Sequence, residues 1–99
     1  MAIKLEWADE ALDDIESIAI FIEKDSPTYA KVVVSKIFEK AEVLQDFPKL
    51  GRIVPELNNP TIREIFVYNY RVIYKLEDKK IIFIAVVHNK RELENHNNL

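Results

Sequence analysis

Apolar positions in this chain keep two different periods. In the first half they recur at helical spacing, and in the last third they alternate or run on continuously, as strand residues do. Ile3 to Trp7 (IKLEW) alternates apolar and polar residues and predicts a half-buried strand. Asp9 then offers a helix start, with acids enriched in the first turn. Leu12, Ile15, Ala19 and Ile22 make one apolar stripe, widened by Ile18 and Phe21, and the helix is expected to end near Lys24-Asp25. Ser26-Pro27 restarts it, with serine as N-cap and proline at the first helical position. The second helix carries Ala30, Val33, Val34, Ile37, Ala41 and Leu44 on one face and is expected to stop at Phe47-Pro48. Two helices joined this tightly predict an antiparallel hairpin.

The stretch from Pro48 to Pro60 holds three of the four prolines and the only glycine, and it reads as a loop. One glycine cannot build a phosphate cradle. Strands are predicted over Ile62–Val67, Tyr70–Leu76 and Ile81–Val87, with Tyr68-Asn69 and the 77–80 segment as turns of an antiparallel meander. The last strand is apolar throughout, so both its faces should be covered and its place central. The expected order is β-α-α-β-β-β, an α+β fold with a helical hairpin on one face of a small antiparallel sheet. The 99 residues predict one domain.

Composition narrows the class. An apolar content of 48% excludes disorder, and the absence of cysteine excludes disulfides and thiolate metal sites. The acidic start lacks an apolar signal-peptide core, and the run Ile81 to Val87 is too short to span a bilayer, so a cytoplasmic, soluble protein without membrane contact is expected. His88 and His96 have no metal-ligand spacing, and neither a metal nor a cofactor is expected.

Charge divides the chain. Residues 1–47 hold 5 lysines and 11 acids, for −6; residues 48–99 hold 9 lysines and arginines and 6 acids, for +3. All four arginines, Arg52, Arg63, Arg71 and Arg91, lie in the second half. Arginine presents a planar fork suited to phosphate and carboxylate, which marks Arg52, Arg63, Arg71, Lys90 and Arg91 as candidate partner-binding residues. The same arginines could instead pair with local acids such as Glu64 and Glu92.

Several of these pieces occur together in one family. The initial strand ends in Trp7. Ala11, Asp14 and Ile18 lie on the first helix; Phe47-Pro48, Gly51-Arg52 and Pro55-Glu56 follow. Arg63-Glu64, Tyr70-Arg71-Val72-Ile73-Tyr74 and Val87-His88 with Arg91 complete the set. In this order the chain resembles the ParE/RelE superfamily of bacterial toxins, often called plasmid stabilisation proteins, and the resemblance covers nearly the whole chain. It implies a β-α-α-β-β-β toxin that inhibits growth and is silenced by a cognate antitoxin in a hetero-oligomer. It leaves two targets. RelE-like members cleave mRNA on the ribosome; ParE-like members inhibit DNA gyrase.

Metal-free RNA cleavage needs an acid or base and cations for the phosphorane. His88 with Arg63, Arg71 and Arg91 would supply that set, and Tyr70 or Tyr74 could stack on a base. A strand-end histidine bonded to backbone, and tyrosines packed in the core, are the competing roles. RelE-like nucleases are strongly basic with an aromatic residue near the C-terminus. Here the pI is about 5.4, and no aromatic follows Phe83. The reading favours a ParE-like gyrase inhibitor that is not a nuclease. A degenerate, non-toxic interaction module stays open as a third class.

Overall fold

The computed structural model describes residues 3 to 89, and in it each predicted helix and strand is present. The elements run β1 (Lys4–Trp7), α1 (Asp9–Glu23), α2 (Pro27–Val43), β2 (Arg52–Ile53), β3 (Ile62–Val67), β4 (Tyr70–Glu77) and β5 (Lys80–His88). Local chemistry sets most boundaries. Ser26 Oγ accepts the Tyr29 N–H at 3.1 Å, and Pro27 occupies the first turn where a missing N–H costs nothing. α1 lacks such a side-chain cap at Ala8, but Asp9 and Glu10 place negative charge at its N-terminus. α2 ends a turn earlier than Phe47, because the N–H groups of Leu44, Gln45 and Asp46 bond back three residues, to Ala41, Glu42 and Val43. Such tight bonds close off the last carbonyls of a helix.

The five strands form one sheet in the order β1-β5-β4-β3-β2. It is mixed rather than antiparallel, since β1 pairs parallel with β5 while the other pairings are antiparallel. A parallel neighbour needs a long crossover, and here everything between Ala8 and Lys79 provides it. β5 lies inside the sheet, as its apolar run predicts, although β4 holds the middle. The pairing of β4 with β5 slips between Ile73 and Tyr74, so that Ile73 faces Ala85 and Tyr74 faces Phe83. The extra residue is Ile84, and it shifts the alternation of β5 by one. Ile81, Phe83 and Val86 therefore face the helices, while Ala85 and Val87 face the opposite side. An unbroken apolar sequence is what such a slip requires.

The main core lies between the helical hairpin and the sheet. Ala11, Ile15, Val33, Ile37, Ala41 and Leu44 meet Ile65, Val67, Val72, Tyr74, Ile81, Phe83 and Val86. The buried stripe of α1 runs through Ala11, Ile15, Ile18 and Ile22, whereas Leu12 and Phe21 are exposed. The expected stripe holds at Ile15, Ile18 and Ile22, with Ala11 buried in place of Leu12 and Phe21 left outside it. Trp7 stacks on Phe83 at 4.1 Å between ring centres and tilts against Phe38 at 4.8 Å. Asp14 Oδ2 accepts the Val86 N–H at 2.9 Å, tying α1 to β5. A smaller cluster of Val54, Ile73, Ala85 and Val87 covers part of the other sheet face. Among the described residues, no helix is long and apolar enough to cross a membrane.

Candidate functional site

The two-residue connection between Val67 and Tyr70 sets Phe66 opposite Arg71 and Glu64 opposite Ile73. Residues two apart on a strand share a face, so Glu64, Phe66, Arg71 and Ile73 all project from the face turned away from the helices. There Arg71 Nε donates to Glu64 Oε1 at 2.6 Å, and its two terminal nitrogens donate to Glu56 at 2.8 and 2.9 Å in a bidentate pair. Arg52 Nε donates to the second oxygen of Glu64 at 2.6 Å. The Arg52 guanidinium also lies 5.0 Å from the Phe66 ring centre. Arg71 and Glu64 are 4% and 1% exposed, and two arginines facing two glutamates balance the charge.

The electrostatics follow from this packing. The hydrogen bonds from Arg71 lower the Glu56 carboxyl from its ordinary 4.5 to about 2, against the opposing effect of burial. The same bonds, first to Glu56 and then to Glu64, raise Arg71 above its ordinary value. Among the described residues, no buried side-chain nitrogen or oxygen lacks a hydrogen-bond partner.

Arg63 is held elsewhere. It pairs with Tyr74 across the strands, and its guanidinium donates to the Gly51 carbonyl at 3.0 Å and the Pro60 carbonyl at 3.2 Å. Tyr74 is fully buried; its Oη accepts the Gly51 N–H at 3.0 Å and donates to the Pro48 carbonyl at 2.8 Å. Burial raises its phenol above the ordinary range. This latch fixes the loop that carries Arg52 into β2.

His88 stands opposite Tyr70, its ring 5.5 Å away and edge-on. It shares a cavity of about 350 Å³ with Asp14, Ser17, Ile18 and Phe21 of α1. Arg71 pairs with Val87, the neighbour of His88, and neighbouring strand positions face opposite sides of the sheet. Arg63 lies opposite Tyr74, about 13 Å along β4 from the partner of His88. The fold thus gathers Arg52 and Arg71 and separates both from His88. Lys90 and Arg91 lie outside the described residues. Among the described residues, no group of three or more His, Asp or Glu could hold a metal ion.

Glu56 was not among the expected site residues, and Glu64 was named only as a competing partner. The Glu64–Arg71 diagonal was legible once the short hairpin fixed the register. Glu56 had no local signal, because it reaches Arg71 from a loop fifteen positions away.

A second feature lies along the outer edge of β3. A groove of about 530 Å³ runs between α2 and that edge, lined by Lys40, Val43, Leu50, Arg52, Ile65 and Phe66. Elsewhere Tyr29 of α2 faces Tyr68 with ring centres 6.1 Å apart, and both line a separate cavity of about 300 Å³ together with Phe21, Tyr70 and His88.

The model of the family described as "ParE toxin of type II toxin-antitoxin system, parDE" matches residues 5–93. No curated protein sequence matches. Among solved structures, one titled as the chromosomal ParDE toxin–antitoxin system from P. aeruginosa superposes with a TM-score of 0.71 at 20% identity, covering 87% of this chain and 95% of that one. A mutant of the E. coli toxin RelE in the free state gives 0.65 at 18%, with 89% and 84% covered. The toxin–antitoxin complex RelBE2 from Mycobacterium tuberculosis gives 0.58 at 17%, with 89% and 99% covered. These identities are low and speak for the fold, which ParE-type and RelE-type toxins share. The family model spans both helices and all of the described sheet except Lys4, and on it the chain belongs to the ParE toxin family of type II toxin–antitoxin systems.

Proposed function

We propose that this chain is the toxin of a type II toxin–antitoxin module, held silent by a cognate antitoxin, and that it stops growth by binding DNA gyrase rather than by cutting mRNA. The observation that carries the second half of this reading is the engagement of Arg71. Cleavage of RNA without a metal asks for cations that are free to meet a phosphorane. Arg71 instead gives three of its donor groups to two carboxylates and is almost wholly buried. His88, the one histidine among the described residues, projects from the other side of the sheet. A phosphate would have to displace Glu56 and Glu64 to reach Arg71, leaving Glu56 without its partner and the buried Glu64 with Arg52 alone. Inhibition by binding needs only a rigid scaffold and a surface.

The test is induction of the chain in cells, with mRNA ends mapped, beside a supercoiling assay of purified gyrase. Loss of supercoiling with intact mRNA, relieved by the product of a neighbouring antitoxin frame, is expected. Ribosome-dependent cuts with normal supercoiling would replace this reading with the nuclease one. No effect on growth would leave an interaction module without toxicity.

A further inference from the structure

Two adjoining cavities lie beside the junction of α1 with α2. One, of about 350 Å³, is lined by Asp14 and Ile18 of α1 and by Val86 and Val87 of β5. The other, of about 300 Å³, is lined by Asp25, Tyr29, Tyr68 and Asn69. Phe21, Tyr70 and His88 line both. Asp14, Ile18, Phe21 and Asp25 follow one another at alternate steps of four, three and four residues, which sets them on one side of α1 and its exit. Phe21, whose spacing would suit the core, is here 68% exposed.

Aromatic rings dominate the smaller cavity. Phe21, Tyr29 and Tyr68 are exposed and Tyr70 is half-buried. The Tyr29 and Tyr68 rings tilt by 57° at 6.1 Å. Tyr29 also lies within electrostatic reach of Tyr70, whose phenol is raised by burial first and by that neighbour second. Aromatic faces carry partial negative charge. Tyr68 holds a φ of 53°, so its exposed ring is kept at a backbone cost, as happens at functional sites. The side-chain charges have the same sign. Asp14 and Asp25 line these cavities and no lysine or arginine of the described residues does, whereas two further cavities are lined by Lys40 and Arg52 or by Lys49 and Lys80. Among the described residues Asp25 takes part in no ion pair. Lys36, within electrostatic reach of Tyr68, pairs with Glu39 at 3.0 Å. The C-terminus of α1 and the N-terminus of α2 meet here, so their opposite partial charges offset and the side chains set the sign.

We propose that this aromatic cavity receives an arginine side chain presented by the protein that the toxin inhibits, with the guanidinium against the rings of Tyr29, Tyr68 and Tyr70 and its charge met by Asp25. The proposal rests on the gyrase reading above and adds a contact by which the target is held. An enzyme that handles DNA presents arginines and lysines to phosphate. Arginine is the better fit of the two, because its planar, weakly hydrated head stacks on aromatic faces. The chain contains one such pairing of its own, Arg52 at 5.0 Å from the Phe66 ring centre. A volume of about 300 Å³ is at the low end for ligand pockets and suits one side chain rather than a peptide segment. A nucleic acid would bring its phosphates against two carboxylates. A second copy of this chain docked about a two-fold axis would set the acidic cavity against itself.

Titration of the full chain with N-acetyl-arginine methylamide, followed by the NMR ring resonances of Tyr29, Tyr68 and Tyr70, tests the site. The citrulline analogue keeps the shape of the probe without its charge. The arginine probe should shift these resonances to saturation and bind about tenfold more tightly than the citrulline one. Asp25→Asn and Tyr29→Leu change exposed side chains. Each should weaken the arginine probe at least about threefold and inhibition of gyrase supercoiling about tenfold, with antitoxin binding unchanged. Equal shifts by the two probes, or none, would overturn the proposal, and inhibition of gyrase by the unaltered chain would still support the gyrase reading. Probe binding that appears only in Arg91→Ala would assign the cavity to the chain's own C-terminal segment and overturn the proposal. Variants that inhibit gyrase as the unaltered chain does would overturn it too, and loss of antitoxin binding in them would assign the cavity to the antitoxin. Supercoiling untouched by the unaltered chain would overturn the gyrase reading and this target with it.

Discussion

Arg71 Nε lies 2.6 Å from Glu64 Oε1, and both side chains are buried on the sheet face away from the helices. Removing the cation leaves Glu56 without its partner and the buried Glu64 with Arg52 alone. Arg71→Ala is expected to lower stability by about 3 kcal/mol, the low end for a broken buried pair, because Arg52 still compensates Glu64. Arg71→Lys should recover only part of this, because an ammonium cannot reproduce the bidentate fork to Glu56. Urea unfolding of the three proteins measures both effects.

Glu56 makes the same cluster acid-sensitive. Its folded pKa, about 2, lies below the ordinary 4.5, so the folded state binds the proton less tightly than the unfolded one. The contribution to stability is complete above pH 4.5 and is lost as pH falls toward 2. It amounts to roughly 2 kcal/mol once solvent screening of a carboxylate that is partly exposed is allowed for. Glu56→Gln should flatten the stability profile between these limits, as read by thermal unfolding at a series of pH values.

The latch beneath β2 tolerates no added atoms. A Cβ at Gly51 would lie 2.5 Å from the Glu64 carbonyl oxygen and 2.7 Å from Tyr74 Oη. Gly51→Ala should therefore cost about 1–3 kcal/mol through displacement of backbone. Tyr74→Phe deletes the hydroxyl that joins Gly51 N–H to the Pro48 carbonyl, leaves a buried donor unmet, and should cost about 1–3 kcal/mol. Denaturant midpoints distinguish these losses from the small effect expected at an exposed site.

Tyr68 holds its backbone in a strained conformation. Asparagine tolerates a φ of 53° better than tyrosine does, so Tyr68→Asn should stabilise the chain by about 0.5–1 kcal/mol, less what the contact with the Tyr29 ring contributes. Thermal unfolding of the two proteins measures the difference.

His88→Ala should keep growth inhibition if the chain acts by binding. His88 stacks edge-on against Tyr70 at the end of β5, where its loss affects packing modestly. Growth curves after induction, with circular dichroism to verify folding, provide the measurement. Loss of toxicity in a folded variant would return His88 to a catalytic role.

Much of this protein was legible from periodicity and punctuation. The stripe Ala30, Val33, Ile37, Ala41 and Leu44 is buried as its spacing required, and Ser26-Pro27 starts α2 because capping is a local hydrogen bond. The strands from Ile62 onward are where β-branched and aromatic residues cluster between turn residues. Local information sufficed for these because their determinants lie within a turn or a hairpin.

Other features depended on residues far apart in sequence. The parallel pairing of β1 with β5, the short β2 and the slip at Ile84 depend on which distant segment arrives alongside, and four residues of alternating polarity do not encode that choice. The arginines show the same division. Their clustering in the second half is plain in the sequence, but a guanidinium binds a partner's anion and its own protein's carboxylate with the same geometry. Only the fold brought Glu56 and Glu64 to Arg71 and set His88 on the other side of the sheet, since strand alternation and loop placement decide which of the two a guanidinium meets.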